Sequence, residues 1–107
     1  MVKAEFFRSG ADGRLLGFSV SGHAGFADEG FDIVCASVSS AVMLTANTVT
    51  ESFKLDAKVA DNGNEILLKL GNDPDGIGDK LLLGLLTHLY LLGEQFPDAV
   101  KAEIIDR

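Results

Sequence analysis

The chain has 107 residues and a formal net charge of −7 at pH 7, one domain's worth of sequence that can bury about two thirds of its unfolded surface without metal or disulfide staples. Its nine Lys and Arg are scattered, which excludes a tight grip on nucleic acid, since that needs a basic face or stripe, and favours a basic partner instead. A lone cysteine makes no intrachain bridge and fits a reducing cytosol, and the N-terminus lacks the apolar run of a signal peptide, so a cytoplasmic location is expected.

Val2 to Arg8 sets Val2, Ala4 and Phe6 against Lys3, Glu5 and Arg8, the period of two of a half-buried strand. Ser9 to Gly13 is turn chemistry. Arg14 to Ser21 puts Leu16, Phe18 and Val20 on one face, which predicts a second strand and a hairpin. That strand ends at Gly22, so His23 should sit at its mouth. Gly22, Gly25 and Gly30 then make hinges in a loop leading to a helix that starts around Asp32.

From Ile33 to Thr50 there is no charge, which is the length of a marginal membrane span. Seven of those eighteen positions are Ser, Thr or Asn, however, which hydrocarbon would leave poorly satisfied. The expectation is a soluble core helix, buried on most sides, whose hydroxyls return to carbonyls one turn earlier. It must be covered by a sheet and by a second surface, and no membrane partner is expected.

Lys54 to Ala60 and Glu65 to Leu70 alternate as strands around Asp61-Asn62-Gly63-Asn64, whose Asn-Gly pair predicts a tight hairpin with positive φ angles. Asp75 or Asp79 is a plausible cap for a helix over about Ile77 to Phe96. That helix carries eight leucines between Leu81 and Leu92, with Leu81, Leu85, Leu89 and Leu92 on one face, more apolar surface than a single sheet contact needs. Pro97 stops it, and Ala99 to Ile105 reads as a fifth strand. Residues 1–107 therefore form one α+β domain of order β-β-α-β-β-α-β, a two-layer sandwich with a five-stranded mixed or antiparallel sheet and both helices on one face.

Cys35 is the candidate nucleophile. If Asp32 caps the helix, Cys35 is the third helical residue, where unpaired amides favour a thiolate, and the amides of Cys35 and Ala36 could hold an oxyanion. The alternative is a small buried hydrophobe. His23 is the candidate base, since a thiol attacking a carbonyl needs an imidazole to ionise it and to protonate the departing amine; otherwise it is a hydrogen-bonded surface residue. Asp32 either caps the helix or orients His23. Ser39, four residues after Cys35, shares its helix face and either supports the site or bonds back to the Cys35 carbonyl. Phe26 and Phe31 either staple the loop or touch substrate, and His88 reads as a structural or interface residue. One cysteine and two histidines do not make a closed zinc site, and Asp73-Pro74-Asp75-Gly76 lacks the distal glutamate of a calcium loop. Neither a metal nor a cofactor is expected.

Gly22-His23-Ala24, an acidic glycine-containing loop, then Gly30-Phe31-Asp32-Ile33-Val34-Cys35-Ala36 and Ser39 resemble the signature of the bacterial ribosomal-processing cysteine protease family, Prp. The resemblance covers essentially the whole chain. It implies a homodimeric endopeptidase that removes a short N-terminal extension, ending in paired aromatics, from large-subunit ribosomal protein twenty-seven. It further implies His23 as base, Cys35 as nucleophile, Asp32 and Ser39 in support, and a loop between His23 and Cys35 that substrate orders. The rival reading is a non-catalytic ribosome-assembly or peptide-binding adaptor that captures a basic tail by strand addition and uses Cys35 for packing.

Overall fold

The computed structural model describes residues 1–22 and 29–107, with only the backbone path given for 29–32. Its order is β1 (Val2–Arg8), β2 (Leu15–Ser21), α1 (Glu29–Asn47), β3 (Ala57–Asp61), β4 (Glu65–Leu70), α2 (Ile77–Gln95) and β5 (Val100–Asp106). The five strands form one mixed sheet in the order β3-β4-β2-β1-β5, in which only β1 and β5 run parallel. The expected α+β architecture is the one observed.

Strand register decides which side of the sheet is dry. Phe6 pairs with Phe18, Phe18 with Leu68, and Val2 with Val100, and all five are buried on one side with Val34, Val38 and Val42 of α1 and Leu82, Leu85 and Leu89 of α2. Both helices therefore cover that face. The opposite face carries Lys3, Glu5 and Glu103, with Lys3 Nζ between the carboxylates at 3.8 and 4.0 Å. Alternation along each strand thus becomes one apolar and one solvated surface.

Several local expectations change. The register slips between Phe7 and Arg8, where Phe7 faces Gly17 but Arg8 faces Leu15. Leu16 is the extra residue of that bulge, so it stands exposed while Leu15 enters the core. On α2 the buried leucines are Leu82, Leu85 and Leu89, with Leu81 and Leu92 only partly covered. The helix cap is neither Asp75 nor Asp79. Asp73 accepts the Gly78 and Asp79 amides on its two oxygens at 3.0 and 2.9 Å, and Asp79 instead accepts the Leu15 amide at 2.7 Å.

The β3–β4 turn also differs in mechanism from expectation. Only Gly63 has positive φ, at 90°, and the flanking polar side chains close the turn. Asp61 Oδ1 accepts from the Gly63 amide at 2.9 Å, and Asn62 Oδ1 from Asn64 and Glu65 at 3.0 and 2.8 Å.

Helix α1 returns hydroxyls to carbonyls one turn earlier at Ser37, to Ile33, and at Thr45, to Ala41, and Thr50, within the short π-helical turn that follows (Thr48–Ser52), bonds to Ala46, all at 2.9 to 3.0 Å. Ser39 and Ser40 form no such bond among the described residues. Ile33–Ser52 is long and apolar enough to cross a membrane by length and composition. Its Val34, Val38, Val42, Ala46 and Val49 stripe is packed into the core, however, which marks a core helix. The rest of α1 is barer than expected, with Ile33 70% and Leu44 68% exposed.

Candidate active site

Antiparallel pairing of β2 with β4 brings two distant pieces of chain together. Ser21, at the end of β2, faces Glu65, at the start of β4, so the β3–β4 turn lies beside the point where the chain leaves the sheet for α1. Between these walls runs a groove of about 330 Å³ lined by Gly22, Cys35, Ser39 and Met43 on one side and Asp61, Asn64 and Ile66 on the other. Cys35, Ser39 and Met43 recur every four residues, one flank of α1 next to its buried valine stripe.

Cys35 is a free thiol of intermediate exposure. The residue is neither sealed in the core like Val34 and Val38 nor fully bared, and it lines the groove. Ser39 lines it too, one turn later, and among the described residues its hydroxyl does not return to a helix carbonyl as those of Ser37 and Thr45 do. Gly22 supplies a third piece. Its φ of 75° and the 2.5 Å that would separate an added Cβ from the Met1 carbonyl oxygen both demand glycine. The residue before His23 therefore sits in the wall of the groove that holds Cys35.

His23 and Gly25 lie outside the described residues, as do Phe26 and the side chains at Phe31 and Asp32. The backbone at Gly30 belongs to α1, so Gly30 lies inside the helix rather than in a loop ahead of it.

Helix α1 already includes Glu29, which corrects the expected frame. Asp32 becomes at least the fourth helical residue rather than the cap, and Cys35 at least the seventh. An α-helix leaves only its first four amides without an intrahelical acceptor, so the amides of Cys35 and Ala36 are committed to the helix and are not free oxyanion donors. The helix-end field, which fades within one turn, also acts weakly at Cys35. Ala36 faces away from the groove, with Ile33 and Ser37 on the flank toward His88.

Among the described residues, no three His, Cys, Asp or Glu side chains gather as a metal site. The stretch that echoed a calcium loop spends Asp73 on the α2 amides.

A family model described as cysteine protease Prp matches residues 1–101. The chain belongs to the Prp family. A curated relative, the ribosomal processing cysteine protease Prp of Bacillus subtilis (strain 168), is 37% identical over 73 residues, 68% of this chain. That match spans 56% of the relative's own length. Among solved structures, SMU.848 from Streptococcus mutans superposes with a TM-score of 0.87 at 29% identity, covering 100% of this chain and 96% of that one. The essential ribosomal processing protease Prp from S. aureus, in complex with a substrate peptide, superposes with a TM-score of 0.86 at 17% identity over 98% of this chain and 100% of that one. At that identity the likeness speaks for the fold.

The groove wall at Asp61 and Asn64 was missed at the level of sequence. The only local signal was an acidic residue beside a hairpin turn, and nothing local tells which element that turn will face.

Proposed function

We propose that this chain is a cysteine endopeptidase that removes the N-terminal extension of large-subunit ribosomal protein twenty-seven during ribosome maturation. Supporting this reading is the meeting, in one groove, of a half-exposed Cys35 with Gly22, the residue that leads into His23, in a member of the Prp family. Cys35 is the nucleophile and His23 the base. The thiolate adds to the peptide carbonyl, His23 gives its proton to the departing amine, and a water activated by His23 then hydrolyses the thioester to release the acid and restore the thiol. Ser39, in the groove wall, and Asp32 are supporting residues; Asp32 is proposed to orient the His23 ring.

The protein is further proposed to act as a homodimer in the cytoplasm. A second copy would cover the outer helix surface, where Ile33, Leu44, Leu83, Tyr90 and Leu91 are exposed, and a reducing compartment would keep the lone thiol active.

The test is cleavage, followed by mass spectrometry, of a peptide bearing the ribosomal extension. Cys35→Ala should keep the far-ultraviolet spectrum and the oligomeric state but release no product. Cleavage unchanged by that substitution would leave the adaptor reading, in which Cys35 only packs.

A further inference from the structure

The wall opposite Cys35 carries the only charged side chains among the described lining residues of the groove, Asp61 and Glu65. Strand register separates their roles. Asp61 faces Ile66 and Ile66 faces Val20, a row on the helix-covered side, so its carboxylate looks toward α1. Glu65 faces Ser21, which faces Lys3, a row on the open side. There its Oε2 accepts the Ser19 hydroxyl at 2.6 Å. Glu65 shapes the wall, and Asp61 alone presents a carboxylate to the groove.

That carboxylate is half used. Oδ1 holds the Gly63 amide, and among the described residues no cation pairs with Asp61. The adjoining surface is apolar, built from Val38, Val42, Met43 and Ile66. A peptide that fills the groove strips water from Asp61, and a desolvated carboxylate is costly unless a cation meets it. Neutral and acidic residues at the facing position are thereby penalised, which is how one side chain sets a preference. The volume, about 330 Å³, suits a few residues of an extended strand rather than a folded surface.

We infer that Asp61 is a specificity-determining residue that receives a lysine or arginine side chain of the peptide substrate, close to the bond cut by Cys35, while the neighbouring apolar surface receives an uncharged side chain. This rests on the endopeptidase reading above and narrows its substrate class to peptides with a basic residue at one fixed distance from the scissile bond.

The probe is a set of fluorogenic peptides built on the ribosomal extension, every basic residue replaced by glutamine except one lysine stepped through the positions on either side of the cut. The wild type should favour lysine at one position by about 5-fold to 10-fold in kcat/KM, the range of a partly desolvated ion pair. Asp61→Asn keeps the Oδ1 acceptor for Gly63, and hence the turn. It should erase that preference, slowing the favoured peptide and relieving the penalty on peptides with a neutral residue at that position, and Asp61→Lys should favour glutamate there. Rates independent of lysine position in the wild type, or an equal fall for every peptide in Asp61→Asn, would overturn the inference and leave the endopeptidase reading intact. If the wild type cuts no peptide the endopeptidase reading falls. Fluorescence anisotropy of the same peptides on Cys35→Ala then decides about Asp61, since binding blind to lysine position overturns its role and binding lost only in Cys35→Ala/Asp61→Asn upholds it.

Discussion

Ser19 Oγ donates to Glu65 Oε2 at 2.6 Å, a bond from the middle of β2 to the first residue of β4. Ser19 is the one buried polar residue among those described, and its bond fixes the root of the turn that forms the far wall of the groove. Ser19→Ala leaves the carboxylate without this donor and should cost about 1–3 kcal/mol, seen as a lower urea midpoint with an unchanged slope. An unaltered midpoint would show that solvent already satisfies Glu65.

Gly22 and Gly13 make a controlled pair. Both have positive φ, 75° and 76°, but an added Cβ meets the Met1 carbonyl at Gly22 and nothing within 4 Å at Gly13. Gly13→Ala should cost about 1 kcal/mol for backbone conformation alone. Gly22→Ala should cost more and slow peptide cleavage, because the chain leading to His23 must shift. Equal losses in thermal unfolding would show that the close approach at Gly22 is easily relieved.

Alkylation of Cys35 by iodoacetamide reads the coupling to His23. With the thiol at least seven residues into α1, the proposed dyad requires the His23 imidazole, rather than the helix end, to activate it. His23→Ala should therefore slow alkylation near pH 6 by about tenfold or more and converge with the wild type at high pH. Parallel profiles would separate the two residues.

Exposed and buried leucines should part company. Leu68→Ala, at a fully buried site, should cost about 2–5 kcal/mol. Leu44→Glu, at a 68% exposed site, should leave monomer stability within about 0.5 kcal/mol yet weaken the proposed homodimer in sedimentation velocity. A dimer indifferent to Leu44→Glu would use another surface.

At the far end of β1, Arg8 Nε donates to Asp106 Oδ1 at 2.7 Å and closes the parallel pair with β5. The bond holds the Asp106 carboxyl below its ordinary range and raises the Arg8 guanidinium. A depressed carboxylate contributes stability above its unfolded pKa and loses it as pH falls through the folded value. The effect should therefore fade below about pH 4, and Asp106→Asn should flatten that part of the stability profile. Both groups are exposed, so 1 M salt should shrink the difference.

Periodicity made the fold legible. Val2, Ala4 and Phe6, or Ile66, Leu68 and Leu70, announce a strand and its dry side because every contact that matters is two residues away. Exceptions arise where a distant partner decides. Leu15 replaces Leu16 in the core because Arg8 lies opposite a bulge, and Asp73, rather than Asp75 or Asp79, takes the Gly78 and Asp79 amides ahead of an N-cap at Gly76 because the turn before α2 folds back on itself. That Cys35 and Ser39 share one helix flank was legible from helical spacing, whereas the place of Asp61 in the same groove was not. Its place across from Cys35 follows from β4 lying next to β2, a pairing between segments more than 40 residues apart.

The strand order also dictates a timetable. β1 with β2, and β3 with β4, are neighbours in sequence and can zip locally, but β5 joins β1 across a separation of 98 residues. Closing so large a loop is entropically the last step to be rewarded. The sheet should thus be completed by this parallel pair after both hairpins and the helix layer have formed, and the unfolding rate, more than any catalytic property, should register damage to that final seam.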